Sequence, residues 1–304
     1  MVLTVDIGNS NIVVGVWDDS SLKFTGRIKT RRDYSEKELE ASLTEMLKGF
    51  DGLSVCEMKS ACEGAILSSV VPEITDKTLC ALENITGKRP LLMGPFLHTG
   101  VDISDYAEGA IGMDRIVDMS AALAMYGAPV MVADLGTCTT ITVAGYPDKD
   151  NASGENSKET EKLAPKALGR LIGGMICPGV QLSLDAEAQR ASQLPQLSAG
   201  NVVTLLGKDT SSNMMAGAVA GTGLMLSELA DRIMDGDMSL DKSLEKSAKV
   251  SHDRESGKYP DLKVVITGGL SEYVRPWMKC RAEVFYEKDL LLRGLYEIFV
   301  CNRR

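Results

Sequence analysis

One local pattern, written twice, constrains this chain more than any other feature. Residues 2–6 (VLTVD) and 11–17 (NIVVGVW) are β-branched runs joined by IGNS, a β-hairpin signature with Gly8, Asn9 and Ser10 supplying the turn. The pattern returns at 130–134 (VMVAD), followed by LGTCTT and ITVAG. In both copies strand, aspartate, apolar residue, glycine, small polar loop and strand follow in that order. Two such Asp-[Ile/Leu]-Gly hairpins predict an internal duplication, with two related lobes facing one cleft. A length of 304 residues suits two domains.

The intervening sequence alternates helix and strand signals. Residues 35–50 read as a helix, with Ser35 and Glu38 as a capping box and Leu39, Leu43, Met46 and Leu47 on one apolar face. Residues 64–71 (GAILSSVV) read as a buried strand closed by Pro72, then come a helix to about Ile85 and a strand near 90–93. Helices are expected over 115–125, 213–234 and 290–300, and a strand over 262–267 that ends at Gly268 and Gly269. Segments 146–165 and 236–260 are polar and read as solvated connections. The class is therefore α/β, with mixed sheets because the hairpins are antiparallel.

Composition removes several functions. With 33 Lys plus Arg against 42 Asp plus Glu, the net charge is −9, and no basic block is present to meet nucleic acid or an anionic membrane. The longest uncharged stretch, 119–133, is too short to span a bilayer and contains Gly127 and Pro129. The acidic start MVLTVDIGNSN lacks the basic and apolar regions of a signal peptide, so a cytoplasmic location is expected. Seven scattered cysteines with no C-x-x-C pair, and two histidines, argue against zinc; the cysteines are expected to be mostly small buried apolar groups.

Phosphate-binding motifs of other folds fail. LGKDT at 206–210 has a Gly-Lys pair, but Val202 stands where a Walker A motif needs glycine and Asp209 follows the lysine. No G-x-G-x-x-G follows a strand, and Ser239 and Lys242, though spaced as Ser-x-x-Lys, lack the companion motifs of that chemistry. The two hairpins remain. A Gly/Asn/Ser turn can aim backbone amides at an oxyanion while the aspartate at the strand end holds Mg²⁺ or a metal-bound water. A plain hairpin explains one copy as well; the second copy, with glycine pairs at 173–174 and 268–269 read as similar loops, favours a grip on polyphosphate. In Gly112-Met113-Asp114-Arg115, an acid at a helix start would stay ionised in the positive field of the helix terminus and accept a hydrogen bond from a substrate hydroxyl. Arg115 could hold an anionic group, and an N-cap with a surface ion pair is the plainer account of the same residues.

Taken together these segments resemble the type III pantothenate kinases, members of the sugar kinase, heat-shock protein 70 and actin superfamily. DIGNSNIVVGVW (6–17) and DLGTCTTI (134–141) are similar to its two phosphate motifs, and GMDR (112–115) to its substrate motif. SSVVP (68–72), GGMICPGV (173–180) and DLLLRGL (289–295) are similar to its other signatures. The resemblance implies two duplicated actin-like, ribonuclease H-like lobes, divided here at 1–115 and 116–304. It implies ATP-dependent phosphorylation of pantothenate to 4'-phosphopantothenate, the first step of coenzyme A biosynthesis, by a homodimer. Under it Asp6, Ile7, Gly8, Asn9, Ser10, Asn11, Ile12, Val13 and Thr137 bind ATP, with Asp6 orienting Mg²⁺ through water. Asp134 holds a monovalent cation, K⁺ or NH₄⁺. Asp114 is the general base toward the pantothenate hydroxyl; Gly112, Met113, Arg115 and Tyr106 line its site, and Thr210 reaches it across the subunit boundary. Met113 departs from the usual alanine, and Tyr106 stands one residue closer to Gly112 than the family's tyrosine and lacks the following Asn-Pro. Two other functions fit the grip on ATP: a kinase of the same superfamily with another substrate, or an idle regulatory relative. Retention of Asp6, Asp114 and Asp134 counts against the latter, because unused buried charge costs desolvation.

Overall fold

The computed structural model describes residues 1–50, 55–107, 109–147, 167–238 and 258–303. The expected polar connections at 146–165 and 236–260 fall largely outside them. The chain divides into two compact units, one of 1–101, 106–124 and 289–304, the other of 102–105 and 125–288. The division at residue 115 expected from the sequence therefore differs in that the first unit takes residues 116–124 and the C-terminal helix. The reason is packing: Val117, Leu292 and Leu295 are buried in one apolar cluster with Val2, Trp17 and Ile66 of the first sheet.

In the first unit the β-branched runs form β1 (Val2–Ile7), β2 (Asn11–Asp18) and β3 (Ser21–Lys29) as an antiparallel meander. Next come α1 (Glu36–Leu47), α2 (Val55–Ala61), β4 (Gly64–Ser69), α3 (Pro72–Thr86) and β5 (Leu91–Leu92), with β4 and β5 parallel to β1. The sheet order is β3-β2-β1-β4-β5. Helix α1 begins at the expected capping box, where the Ser35 hydroxyl accepts from the Glu38 amide and Glu38 accepts from the Ser35 amide. Pro72 starts α3, where its missing N–H costs nothing, and Gly87 ends it at φ 69°. Leu3, Val5 and Ile7 alternate onto one face against Leu39, Leu43 and Leu82 of α1 and α3. Each fully buried side chain of this kind contributes about 1.5–3 kcal/mol.

The rest of the chain repeats the plan, with its first long helix up to residue 124 and its last helix belonging to the first unit. A two-residue strand, β6 (Val101–Asp102), precedes α4 (Met113–Tyr126), after which β7 (Val130–Leu135), β8 (Cys138–Gly145) and β9 (Gly169–Pro178) form the meander. Helix α5 (Val180–Arg190) follows; then α6 (Thr210–Met215), a π-helical turn at Ala216–Ala220 and α7 (Gly221–Asp235) run on as continuous helix. The strand β10 (Lys263–Thr267), the short α8 (Ser271–Val274), β11 (Glu283–Tyr286) and α9 (Leu290–Asn302) complete the chain. Omitting β6 at the edge, the order β9-β8-β7-β10-β11 matches the first sheet strand for strand. Burial matches as well: β1 and β7 share one pattern, fully buried but for the half-exposed aspartate next to the end. The expected duplication and the ribonuclease H-like order of each lobe are both present.

Two expectations need correction. Gly173 and Gly174 are not a loop; they lie inside β9 opposite Val143 and Thr142, beside a register shift at Val143/Ala144 where small residues ease a bulge. Of the six cysteines whose side chains are described, only Cys62 is buried, while Cys138, Cys177 and Cys280 are half-buried and Cys80 and Cys301 exposed.

Candidate active site

The first turn is built from the end of β1. Asp6 pairs with Val13 across the hairpin and with Ser68 on the parallel side. Side chains alternate along a strand, so Asp6 lies on the face opposite Leu3, Val5 and Ile7. Ile7 and Ile12 are fully buried in the core, so a role for either in ATP binding is confined to its main chain. Val13 is half-buried on the opposite apolar cluster. Gly8, Asn9 and Ser10 form the turn itself, Asn9 and Ser10 exposed, with the Gly8 amide donating to the Asn11 carbonyl at 3.0 Å. The Ser68 hydroxyl beside Asp6 is wholly buried and has no hydrogen-bond partner among the described residues.

The second turn has the same frame with one residue fewer. Asp134 pairs with Thr140 across the hairpin and with Thr267 on the parallel strand β10. A hydroxyl residue thus neighbours each aspartate, Ser68 in one sheet and Thr267 in the other. Gly268, at φ 92°, lies so close that a Cβ there would be 2.5 Å from Asp134 Oδ1 and 2.6–2.7 Å from the Leu135 main chain. Gly179, at the start of α5, backs the turn from the other side, against the carbonyl oxygens of Gly136 and Thr137. Thr137 is exposed.

Helix α4 presents the third constellation. Asp114 lies in its first turn, and its Oδ1 accepts from the Arg115 amide at 2.9 Å. A carboxylate there gains about 0.3–1 kcal/mol from the helix terminus. Gly112 leaves room for that carboxylate: a Cβ at this position would overlap Asp114 Oδ1. Met113 packs on the apolar cluster of the first sheet, so the residue that departs from the family pattern serves as an anchor for the helix start. One turn further on, Asp118 is buried at 4% exposure on the same side of the helix. Tyr106 is half-buried, and Asp105 just before it forms an ion pair with Arg170 of β9.

Thr210 is exposed at the first position of α6. Its helix is started by Asp209, which accepts from the Ser212 amide at 2.9 Å, and that bond holds the Asp209 carboxyl below the usual carboxylate range. The first unit therefore contains the Asp6 turn, Tyr106 and residues 112–115, and the second contains Asp134, Thr137 and Thr210. Sequence reading did not single out Thr30, Asp118, Gly179 or Thr267. Thr30, Gly179 and Thr267 gain their places from partners distant in sequence or from a neighbouring strand.

Comparison with known proteins shows the family of the chain. The family profile described as "Type III pantothenate kinase" matches residues 2–148 and 165–232. Type III pantothenate kinases of Shouchella clausii and Brevibacillus brevis are 30% and 31% identical to this chain, over 100% of both sequences in each case. That of Agathobacter rectalis is 31% identical over 100% of this chain and 98% of its own. Among solved structures, a Baf family protein of Campylobacter jejuni superposes with a TM-score of 0.52 at 15% identity, covering 98% of this chain and 97% of the other; this likeness concerns the fold alone. With matches of this length and identity, the chain belongs to the type III pantothenate kinase family, whose members phosphorylate pantothenate in coenzyme A biosynthesis.

Proposed function

We propose that this chain transfers the γ-phosphoryl group of ATP to the primary hydroxyl of pantothenate, using the Asp6 and Asp134 turns for the nucleotide phosphates and Asp114 for the acceptor. The observation that carries the reading is the shared register. Each aspartate occupies the penultimate position of a first strand, ahead of a glycine-containing turn and beside a hydroxyl residue. Phosphoryl transfer through a loose transition state needs alignment and charge neutralisation more than a strong base. Asp114, fixed by the Arg115 amide, orients the hydroxyl and takes its proton late, while Arg115, Gly112, Met113 and Tyr106 border the acceptor.

No three His, Cys, Asp or Glu side chains cluster as a metal cage among the described residues. Such a donor set fits Mg²⁺ held by waters, substrate phosphates and a single carboxylate, the role assigned to Asp6. Asp134, half-buried next to the end of β7, is the carboxylate assigned to the monovalent cation, K⁺ or NH₄⁺. When bound, these ions neutralise phosphate charge. A homodimer is proposed as well, with Thr210 serving the partner's site. Val203 and Leu206, 91% and 82% exposed a few residues before Thr210, support an apolar surface there. No helix among the described residues is long and apolar enough to cross a membrane; a cytoplasmic location is part of the proposal.

A coupled ADP-release assay tests the reading, run with pantothenate and with a panel of other hydroxylated acids, each with and without K⁺. Turnover specific to pantothenate and stimulated by K⁺ is expected. Turnover of another acid with none of pantothenate overturns the substrate assignment. For the dimer, light scattering should give twice the chain mass. Mixing inactive Asp114→Asn and Thr210→Ala chains should regain activity, since one composite site would then be intact; absence of recovery removes Thr210 from the shared site.

A further inference from the structure

The first turn is held by a residue that no motif includes. Thr30 follows β3, one residue beyond the Asn11–Lys29 pair, and so stands opposite Ser10. Its hydroxyl donates to the Gly8 carbonyl at 2.7 Å and its amide donates to the Ser10 carbonyl at 3.1 Å. Two of the turn's carbonyl oxygens are therefore drawn to a single residue behind it. A trans peptide is planar, with N–H and C=O pointing in opposite directions, so fixing the Gly8 oxygen also fixes the Asn9 N–H that shares its plane. Without that tether the Gly8–Asn9 peptide could flip by coupled rotation of Gly8 ψ and Asn9 φ, which glycine on one side and asparagine, tolerant of positive φ, on the other permit; the flip would show a carbonyl dipole to an anion and turn the donor away.

We propose that Thr30 is the positioning residue of the first phosphate turn, its hydroxyl holding the Gly8–Asn9 peptide so that the Asn9 amide is presented to the nucleotide's phosphate oxygens. This inference rests on the assignment of the Asp6 turn to ATP and adds the device that pre-orients it. Thr30 itself touches no phosphate. Its effect belongs on nucleotide affinity, while pantothenate binding is left alone.

The test replaces Thr30 with valine, which keeps shape, β-branching and the main-chain bond to Ser10 and removes only the hydroxyl. Calorimetric titration with the non-hydrolysable analogue AMPPNP should show affinity weakened about 5- to 30-fold, the scale of one lost part-buried hydrogen bond. KM for ATP should rise in parallel, KM for pantothenate should stay within twofold, and Thr30→Ser should restore both nucleotide values. Should the valine variant not fold, Thr30→Ala carries the same prediction. Unchanged AMPPNP affinity in Thr30→Val, equal losses for both substrates, or no recovery in Thr30→Ser overturns the inference. Asp6→Asn, titrated alongside, separates the two levels. If it binds AMPPNP as wild type does, the reading of the turn fails and the Thr30 inference falls with it. If it loses binding while Thr30→Val does not, the Thr30 inference alone is overturned.

Discussion

The substitution Gly268→Ala probes how tightly the second turn is built. At φ 92° the glycine holds a backbone conformation that side chains resist, and a Cβ would lie 2.5 Å from Asp134 Oδ1, 2.6 Å from the Leu135 carbonyl carbon and 2.7 Å from its nitrogen. The main-chain atoms belong to β7, paired on both sides, and cannot rotate away. Backbone strain of about 1–3 kcal/mol and overpacking of about 1–3 kcal/mol together give a loss of roughly 2–6 kcal/mol. At roughly 2–4 °C per kcal/mol for a domain of this size, the melting temperature should fall by roughly 4–24 °C. The neighbouring Gly269 is the control: nothing lies within 4 Å of a Cβ there, so Gly269→Ala should change stability by at most about 0.5 kcal/mol. Thermal unfolding of both variants, with a K⁺ titration of activity, reads the two effects. Displacement of the Asp134 carboxylate should raise the K⁺ concentration for half-activation in Gly268→Ala only. Melting temperatures for the two variants within 2 °C of each other, with the same K⁺ dependence, would refute the steric reasoning.

Other expected outcomes follow from the same geometry. Asp114→Asn should lower kcat about 10²–10⁴-fold at unchanged KM for ATP, measured by ADP release; a fully active variant removes Asp114 from the mechanism. Gly112→Ala should push the Asp114 carboxylate off its position and cost roughly 10²-fold in kcat, with secondary structure by circular dichroism unchanged. Gly179→Ala should move the Gly136–Thr137 turn and weaken AMPPNP binding, whereas Gly173→Ala, inside β9 with nothing near its Cβ, should not; equal affinities would exclude the close approach. The Ser35 amide and hydroxyl hold the Glu38 carboxyl below the usual carboxylate range, so the capping box stabilises the folded state above the unfolded pKa and loses that contribution as pH falls through the folded one. Ser35→Ala should therefore lower the melting temperature at pH 7, and the difference should shrink on acidification below about pH 4.

What the sequence revealed, and what it withheld, divides along a physical line. The hairpins, the Ser35–Glu38 box and Pro72 are local: each is a relation between residues a few positions apart, and each was legible. Strand β3 went unread because its residues alternate between exposed and half-buried, so its strand character depends on pairing with β2. The helical run expected over 213–234 carries a π turn at Ala216–Ala220 that shifts its period, a change that a stretch of alanine and glycine does not announce. The glycine pair at 173–174 looked like a phosphate loop because glycine marks turns and strand irregularities alike. Within the candidate site the aspartates were legible from their motifs, whereas Ser68, Thr267 and Thr30 owe their places to strand neighbours that lie 20 to 133 residues away in sequence.

The two turns also show how a duplicated frame can be held by different means. The residue after the third strand stands behind the turn in both sheets: Thr30 follows Lys29, which pairs with Asn11, and Gly179 follows Pro178, which pairs with Cys138. In the first turn, three residues separate the strands and a threonine ties down two carbonyls with hydrogen bonds. In the second, two residues separate them and a glycine lets the start of α5 press against the carbonyls of Gly136 and Thr137. A longer turn has more main-chain freedom to lose and needs a tether; a shorter one is constrained by its own closure and needs only the absence of a side chain behind it. Exchanging the residues should therefore fail in both directions. Thr30→Gly should loosen the first turn through lost bonds, and Gly179→Thr should displace the second through overlap, so that both weaken AMPPNP binding for opposite reasons. Only the first loss should be recovered by serine at the same position, because Gly179→Ser still places a Cβ against the Thr137 oxygen.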